Sequence, residues 1–411
     1  MNGLSFNPRS AAYRADPWAA YRRLAAEAPV FQNPDGAWVV SSFEAATRLL
    51  ADRQRVLKRP DLLLRAFPPG DFRDHNANTM TFMDPPDHTR VRRAMAHVFT
   101  PGAIGYLQER IEAICAELLD EMEGRAKFDL VEAFAQPLPL FVICEMLGIP
   151  RDARPSFKAG AAAVVAGLEP GAGVDTLEAA NAAIRELTAL MGGYMESRSP
   201  GQGADVLSLL LGLSEEETLS PSELIHQAIF LLNAGHETTT TLIGSGAWAL
   251  LREPAARARL QAEPEAYGAA VDELLRLYPP LHFTYRRAAE RIELEGAVIE
   301  PGALILILLA AANRDPAQFP DPDRLDVDRP NAKRHLSFAV GPHTCLGNNL
   351  ARMEAATALR RLFERFPDLR LAGEPVRNQG LIFQGFAELP TARGGPGLAR
   401  GPASSTLQAS A

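Results

Sequence analysis

The sequence predicts a mainly α-helical chain with a smaller β-rich lobe, on three observations. Apolar residues recur at a helical period through most of the chain, in blocks that end at proline or glycine. One block is far longer than the others: Ser220-Pro221-Ser222-Glu223 is a capping box with proline at the first helical position, and the helix it opens runs to about Leu251, before Pro254. At 1.5 Å per residue its roughly thirty residues span about 45 Å, enough to cross a whole domain. Strand-like runs are short and local, at Ala37-Trp38-Val39-Val40 and about Ile292 to Ile299.

Taken in order, a helix from Asp16 carries Trp18, Tyr21, Leu24 and Ala25 on one face, and another covers about Phe43 to Ala51. Arg59 to Met80 has no period and reads as a loop with one turn of helix. Met83-Asp84-Pro85-Pro86-Asp87-His88 opens a helix that stops before Pro101. Helices follow at Ala103 to Glu123, Ala133 to Leu147 and Pro155 to Ser197, the last interrupted by Gly167 to Gly173. After the long helix come a helix at Glu265 to Tyr278, an apolar strand or helix at Ala303 to Ala311, and polar loops. A final helix runs from about Leu350 to Phe366, ended by Pro367.

The 411 residues are 47% hydrophobic and can bury a large core. No linker or charge run divides them, so residues 1–392 are expected to form one domain, with 393–411, rich in Gly, Pro, Ser and Ala, as a disordered tail. A net charge of -8 argues against nucleic acid as a partner. Three widely spaced cysteines give neither a disulfide framework nor zinc spacing and fit a reducing cytoplasm. The N-terminus has no apolar targeting run, and no stretch is long enough to span a bilayer, so a soluble cytoplasmic protein without a membrane anchor is expected.

One cysteine stands apart. Cys115 and Cys144 occupy apolar helical positions, whereas Cys345 lies in Phe338-Ala339-Val340-Gly341-Pro342-His343-Thr344-Cys345-Leu346-Gly347. Gly341 and Gly347 let the backbone bend tightly on both sides and let a flat ligand approach. The helix that follows turns its free N–H groups towards the sulfur, which is expected to lower the thiol pKa. A thiolate in such a loop, backed by an aromatic ring, is what an axial ligand of haem iron requires.

The spacing Phe338-x-x-Gly341-x-x-x-Cys345-x-Gly347 resembles the haem-binding signature of the cytochrome P450 family, with Ala339 where many members carry glycine. Further motifs follow the family's order from about Asp16 to Pro390. The resemblance implies the P450 fold, with haem b (iron protoporphyrin IX) between the long central helix and the loop that supplies Cys345 as the metal ligand. His88 and Arg92, four apart on one helical face, resemble the pair that binds a haem propionate. Arg286 aligns with the family's propionate arginine, in a register left open by its neighbour Arg287, and His343 is a further propionate candidate.

Ala234-Gly235-His236-Glu237-Thr238-Thr239 places a glycine and β-branched residues inside the long helix, where propensity favours neither. By resemblance this is the oxygen site: Ala234 and Gly235 leave room for a diatomic ligand, while Glu237 and Thr238 deliver protons. Glu273 and Arg276 match a structural pair that locks to an arginine before the cysteine, for which Arg329 is the candidate. The resemblance projects Phe230, Asn233, Leu281, Phe283, Ile382 and Phe383 onto a substrate pocket. All but Asn233 are apolar, as a lipophilic substrate needs.

The function implied is a bacterial-type haem-thiolate monooxygenase, inserting one oxygen atom from O2 into a small lipophilic molecule. No flavin or ferredoxin segment is visible, so the electrons are expected from NAD(P)H through a separate ferredoxin reductase and ferredoxin. Arg92, Arg93, Arg334 and Arg352 are candidates for a basic landing patch. The alternatives are a peroxide-driven haem-thiolate enzyme, which would not need the Glu237–Thr238 pair, and a haem-binding sensor without turnover.

Overall fold

The computed structural model describes residues 4–198, 203, 205–213 and 219–394, so the expected tail lies outside the described residues from position 395 onward. Helices form most of the fold. A five-stranded sheet has the order Val30–Gln32, Trp38–Val40, Leu304–Ile307, Thr284–Ala288, Val56–Leu57. Its one parallel pairing joins Trp38–Val40 to Leu304–Ile307, and the rest are antiparallel. The apolar run Ala303 to Ala311 proves to be both strand and helix: Leu304–Ile307 joins the sheet and Leu309–Ala312 makes a helical turn. Every residue of that turn is buried, which removes any periodic signal.

Arg59 to Met80 is more ordered than its sequence suggests. It contains the short helix Pro60–Leu63, a 3-10 turn at Leu64–Ala66 and the helix Asp71–Ala77. Segments this short cannot display a 3.6-residue period, although Pro60 at a first helical position and Asp71 and Asp74 in a first turn are start signals.

The central helix, Pro221–Arg252, has 32 residues and opens on the full Ser220–Glu223 capping box. From Thr239 to Leu250 every residue is buried, as in a helix surrounded by protein. Gly246 explains one close approach, because a Cβ there would press on Leu359 and Leu274 at 3.0 and 3.1 Å. The helix thus lies directly on Tyr267–Leu277 and on Asn348–Arg365. Around it runs the largest apolar cluster, including Leu118, Phe134, Ile243 and Leu359. A second cluster sits under the sheet, and a third gathers Phe6, Tyr13, Tyr21 and Phe283. Among the described residues, no helix is long and apolar enough to cross a membrane.

A buried ion pair fixes the region before Cys345. Arg276 binds Glu273 in a two-pronged contact, Nε to Oε2 at 2.6 Å and Nη2 to Oε1 at 2.9 Å, with both side chains fully buried. Arg329 Nε and the Asp326 amide each donate to Glu273 Oε1 at 3.0 Å. The remaining guanidinium hydrogens of Arg276 reach the carbonyls of Asn313, Pro322 and Arg324. Asn313 continues the chain of bonds, donating to Ser337 Oγ at 2.8 Å and accepting from the Leu336 amide at 2.6 Å. Removing the carboxylate would strand two buried guanidinium groups. Glu273→Ala is therefore expected to lose about 3–5 kcal/mol of stability, read as a lower urea midpoint; an unchanged midpoint contradicts the network.

Candidate active site

Cys345 lies between a 3-10 turn at Gly341–His343 and the helix Asn348–Arg365. Its amide donates to the Phe338 carbonyl and its carbonyl accepts from Asn348 Nδ2, each at 2.8 Å, so the loop is pinned on both sides. Gly341 has φ +78°, and a Cβ there would run into the Leu50 carbonyl oxygen. Ala339 holds a left-handed φ of +53°, a conformation costing an L-residue about 1–2 kcal/mol. Gly347 differs from expectation. Its φ is an ordinary -83°, and a Cβ would meet Phe99 at a comfortable 3.6 Å, so the bend requires only Gly341.

The cysteine combines two properties. It has accessible surface, yet burial pushes its thiol pKa up. Both hold when a sulfur deep in the fold borders an internal cleft. The Gly347 N–H, Arg92 and Arg352 pull in the other direction, but desolvation dominates. The expected depression of the pKa is thus absent from the protein alone, because partial backbone charges do not offset removal from water.

Behind the loop, the Arg352 guanidinium lies 4.6 Å from the centre of the Phe338 ring. Arg352 Nε and His335 Nε2 share Asp272 Oδ1, at 2.8 and 3.1 Å. Of the four arginines expected to form a surface patch, Arg352 is therefore tied inward, as is Arg92, which donates to the Thr344 carbonyl at 2.6 Å. Arg93 and Arg334 are exposed, and Lys333 joins them.

On the central helix, Ala234 is exposed although Asn233 and His236 beside it are buried. Gly235 packs towards Ile143, which a Cβ would meet at 3.4 Å. The Thr238 hydroxyl donates to the Ala234 carbonyl at 2.7 Å, the ordinary bond of a helical threonine, and the helix continues unbroken despite its local composition. Burial, followed by the nearby charge of Glu169, raises the Glu237 pKa above the usual carboxylate range. Glu169 itself accepts the Leu381 amide at 2.8 Å. Its role was invisible in the sequence, since it lies 68 residues from Glu237.

Phe230 is half-buried on the same side of the helix, and Leu281 and Phe383 face each other across an isolated antiparallel bridge. Asn233 is buried, with neither amide oxygen nor amide nitrogen partnered among the described residues. Phe283 departs from its expected place on the pocket wall. It packs edge-on against Phe6, ring centres 5.8 Å apart, inside the N-terminal aromatic cluster, which Ile382 also borders. Between Leu281 and Phe283, the His282 amide donates to the Ile382 carbonyl.

A group of basic side chains lies next to the cysteine loop. The His88 and His343 rings are 4.2 Å apart, and His88 Nε2 has no hydrogen-bond partner among the described residues. Burial, then Arg92, lowers the His88 pKa to about 4, and His343 is also pushed down, chiefly by burial. Arg286 is buried and, among the described residues, bonds only to Thr284 Oγ1 and its neighbour's carbonyl, with its pKa lowered by burial to about 10. Arg287 points the other way, to the Gly302 carbonyl, so the inward position belongs to Arg286. Lys58, which the sequence did not single out, is buried in the same group.

A family model described as Cytochrome P450 matches residues 178–377. The 6-deoxyerythronolide B hydroxylase of Saccharopolyspora erythraea is 37% identical over 399 residues, covering 93% of this chain and 97% of its own. This chain belongs to the cytochrome P450 family. The cytochrome P450 monooxygenase PikC of Streptomyces venezuelae is 38% identical over 392 residues, 92% of this chain and 91% of that protein. The crystal structure of P450BioI in complex with an acyl carrier protein ligated to hexadec-9Z-enoic acid superposes with a TM-score of 0.86 at 32% identity, covering 93% of this chain and 100% of that one. The chain is thus an oxidoreductase of the P450 monooxygenase class.

The P450 family uses haem, and the residues present fit it. Accessible surface at Cys345 and at Ala234, both inside the fold, is surface that a slab-shaped cofactor would cover. The basic group supplies donors for carboxylates at the slab's edge. The other two cysteines are fully buried, with thiol pKa values raised by burial. Cys345→Ala is expected to abolish the red-shifted Soret band of the CO-bound ferrous P450, whereas Cys115→Ser and Cys144→Ser leave it in place. Retention of the band after Cys345→Ala would falsify the ligand assignment.

Proposed function

We propose that this P450 binds haem b through Cys345, acts in the cytoplasm, and inserts one oxygen atom from O2 into a lipophilic small molecule. Its electrons come from NAD(P)H by way of a ferredoxin reductase and a ferredoxin. When bound, the haem supplies oxygen activation, with thiolate donation favouring O–O cleavage. The observation that carries the reading, in preference to a peroxide-driven enzyme or a haem sensor, is the pair Glu237 and Thr238 beside the accessible Ala234.

The chain's own part is proton handling. Glu237, its pKa raised by burial and by Glu169, holds its proton to a higher pH than an exposed carboxylate does. The Thr238 hydroxyl donates to Ala234 O at rest, so its lone pairs accept first. To offer a proton to the open side of the helix it rotates away from that carbonyl, at a cost of about 1 kcal/mol for one neutral hydrogen bond. Thr238→Ala should preserve substrate binding while product per NADH falls by about tenfold or more and hydrogen peroxide rises. Glu237→Gln should slow O2 uptake itself, by about a hundredfold or more. Full coupling in Thr238→Ala would remove the hydroxyl from the proton path.

Asn233 refines the substrate. Leaving a buried amide group unpaired costs about 1–3 kcal/mol, and a ligand hydroxyl or carbonyl would recover it. We assign to the substrate an apolar body against Phe230, Leu281 and Phe383, with one hydrogen-bonding group one residue away from the Ala234 opening. Asn233→Leu is expected to weaken such ligands by about tenfold to a hundredfold in a low-spin to high-spin titration, leaving wholly apolar ligands unaffected. Equal loss for both ligand types would overturn this assignment.

A further inference from the structure

The register of the five-stranded sheet creates an electrostatic problem. Strand Val56–Leu57 pairs antiparallel with Thr284–Ala288, Val56 opposite Ala288 and Leu57 opposite Arg287. The next position along the same register puts Lys58 opposite Arg286. Directly opposed residues share a face of the sheet, and like charges there repel. Both side chains are buried, at 6% and 3% exposure. The Lys58 ammonium has no ion pair or hydrogen bond among the described residues; it lies over the Tyr285 ring, 4.6 Å from its centre.

Asp84 does not resolve the conflict. Its two oxygens accept the backbone amides of Lys58 and Arg59 at 2.8 and 2.7 Å, so it anchors the turn. With Lys58 protonated, Lys58, Arg92 and Arg286 against Asp84 would leave two uncompensated positive charges, next to His88 and His343. Burial, then Arg286, pushes the Lys58 pKa well down, as happens to an ammonium without a counter-ion. Without an anion such a group sheds charge by releasing the Lys58 proton, whereas an anion of matching charge would hold all three cations together.

We propose that Lys58 is a third cation of the haem-edge cradle, binding a propionate together with Arg286 and completing the neutralisation of both carboxylates. This rests on the haem-thiolate reading above, and on the cleft beside Cys345 being the haem site. Lysine would suit the position because its ammonium is a point charge on a flexible stem, able to reach a carboxylate that the flat arginine fork also binds. Lys58 is thereby a positioning residue for the cofactor, with no contact to the reacting atoms.

The test is haem transfer from holoprotein to excess apomyoglobin, followed by the Soret band, in the wild type, Lys58→Met and Lys58→Arg. Each is compared with the same protein reconstituted with iron protoporphyrin IX dimethyl ester, whose edge carries no charge. With native haem, Lys58→Met should lose cofactor about tenfold to a hundredfold faster, and Lys58→Arg should stay close to wild type. With the diester, Lys58→Met and wild type should lose it at the same rate. The CO-bound thiolate band should persist throughout; its absence from the wild type would overturn the haem-thiolate reading, separately from Lys58. Faster loss of both cofactors alike would make Lys58 a support of the fold only, and unchanged loss of native haem would remove it from the cradle. If Lys58→Met does not fold, Lys58→Gln takes its place in the same comparison, with the same outcomes.

Discussion

The fold depends on one buried ion pair, Glu273 with Arg276. Two charges without water are costly, and the cost is met only because every donor and acceptor finds a partner: Arg329 and the Asp326 amide on the acid, three loop carbonyls on the base. Its consequence is geometric. The irregular chain from Asn313 to Arg329 has little apolar surface of its own, yet it is held against the helix Tyr267–Leu277 at many points. Asn313 passes that order to Leu336 and Ser337, two and one residues before Phe338. The position of Cys345 is thus inherited from a salt bridge about seventy residues earlier in the chain.

On either side of the cleft, the protein keeps features that a self-sufficient core would eliminate. Ala234 leaves surface open in the middle of a buried helix, Asn233 buries an unpaired amide, and Lys58 faces Arg286 across a sheet. Each breaks a local rule and each adjoins the cleft, as expected where stability yields to ligand binding. The burial-raised Cys345 thiol belongs with them, since an iron ion would reverse the balance that burial sets. Ala339, in a left-handed conformation, stores strain in the same loop.

Much of this was legible because the signals are local. The capping box marked the start of the central helix, prolines and glycines marked most boundaries, and the glycine-flanked cysteine stood out from two cysteines at ordinary core positions. What stayed hidden involved short or distant elements. The helices between Pro60 and Ala77 are too brief to show a period, and the Asp272–His335–Arg352 bonds join three separate segments.

The sequence by itself determined the helical architecture, the cysteine loop and the family, because those rest on spacing within one segment. Only the tertiary structure decided that Phe283 turns into the aromatic cluster, that Arg286 rather than Arg287 faces inward, and that Gly347 takes an ordinary backbone angle. It alone brought Glu169 near Glu237 and Lys58 opposite Arg286. The reason is physical: burial and charge are set by what packs from elsewhere in the chain, and a strand's register, shifted by one residue, exchanges every inward side chain for an outward one.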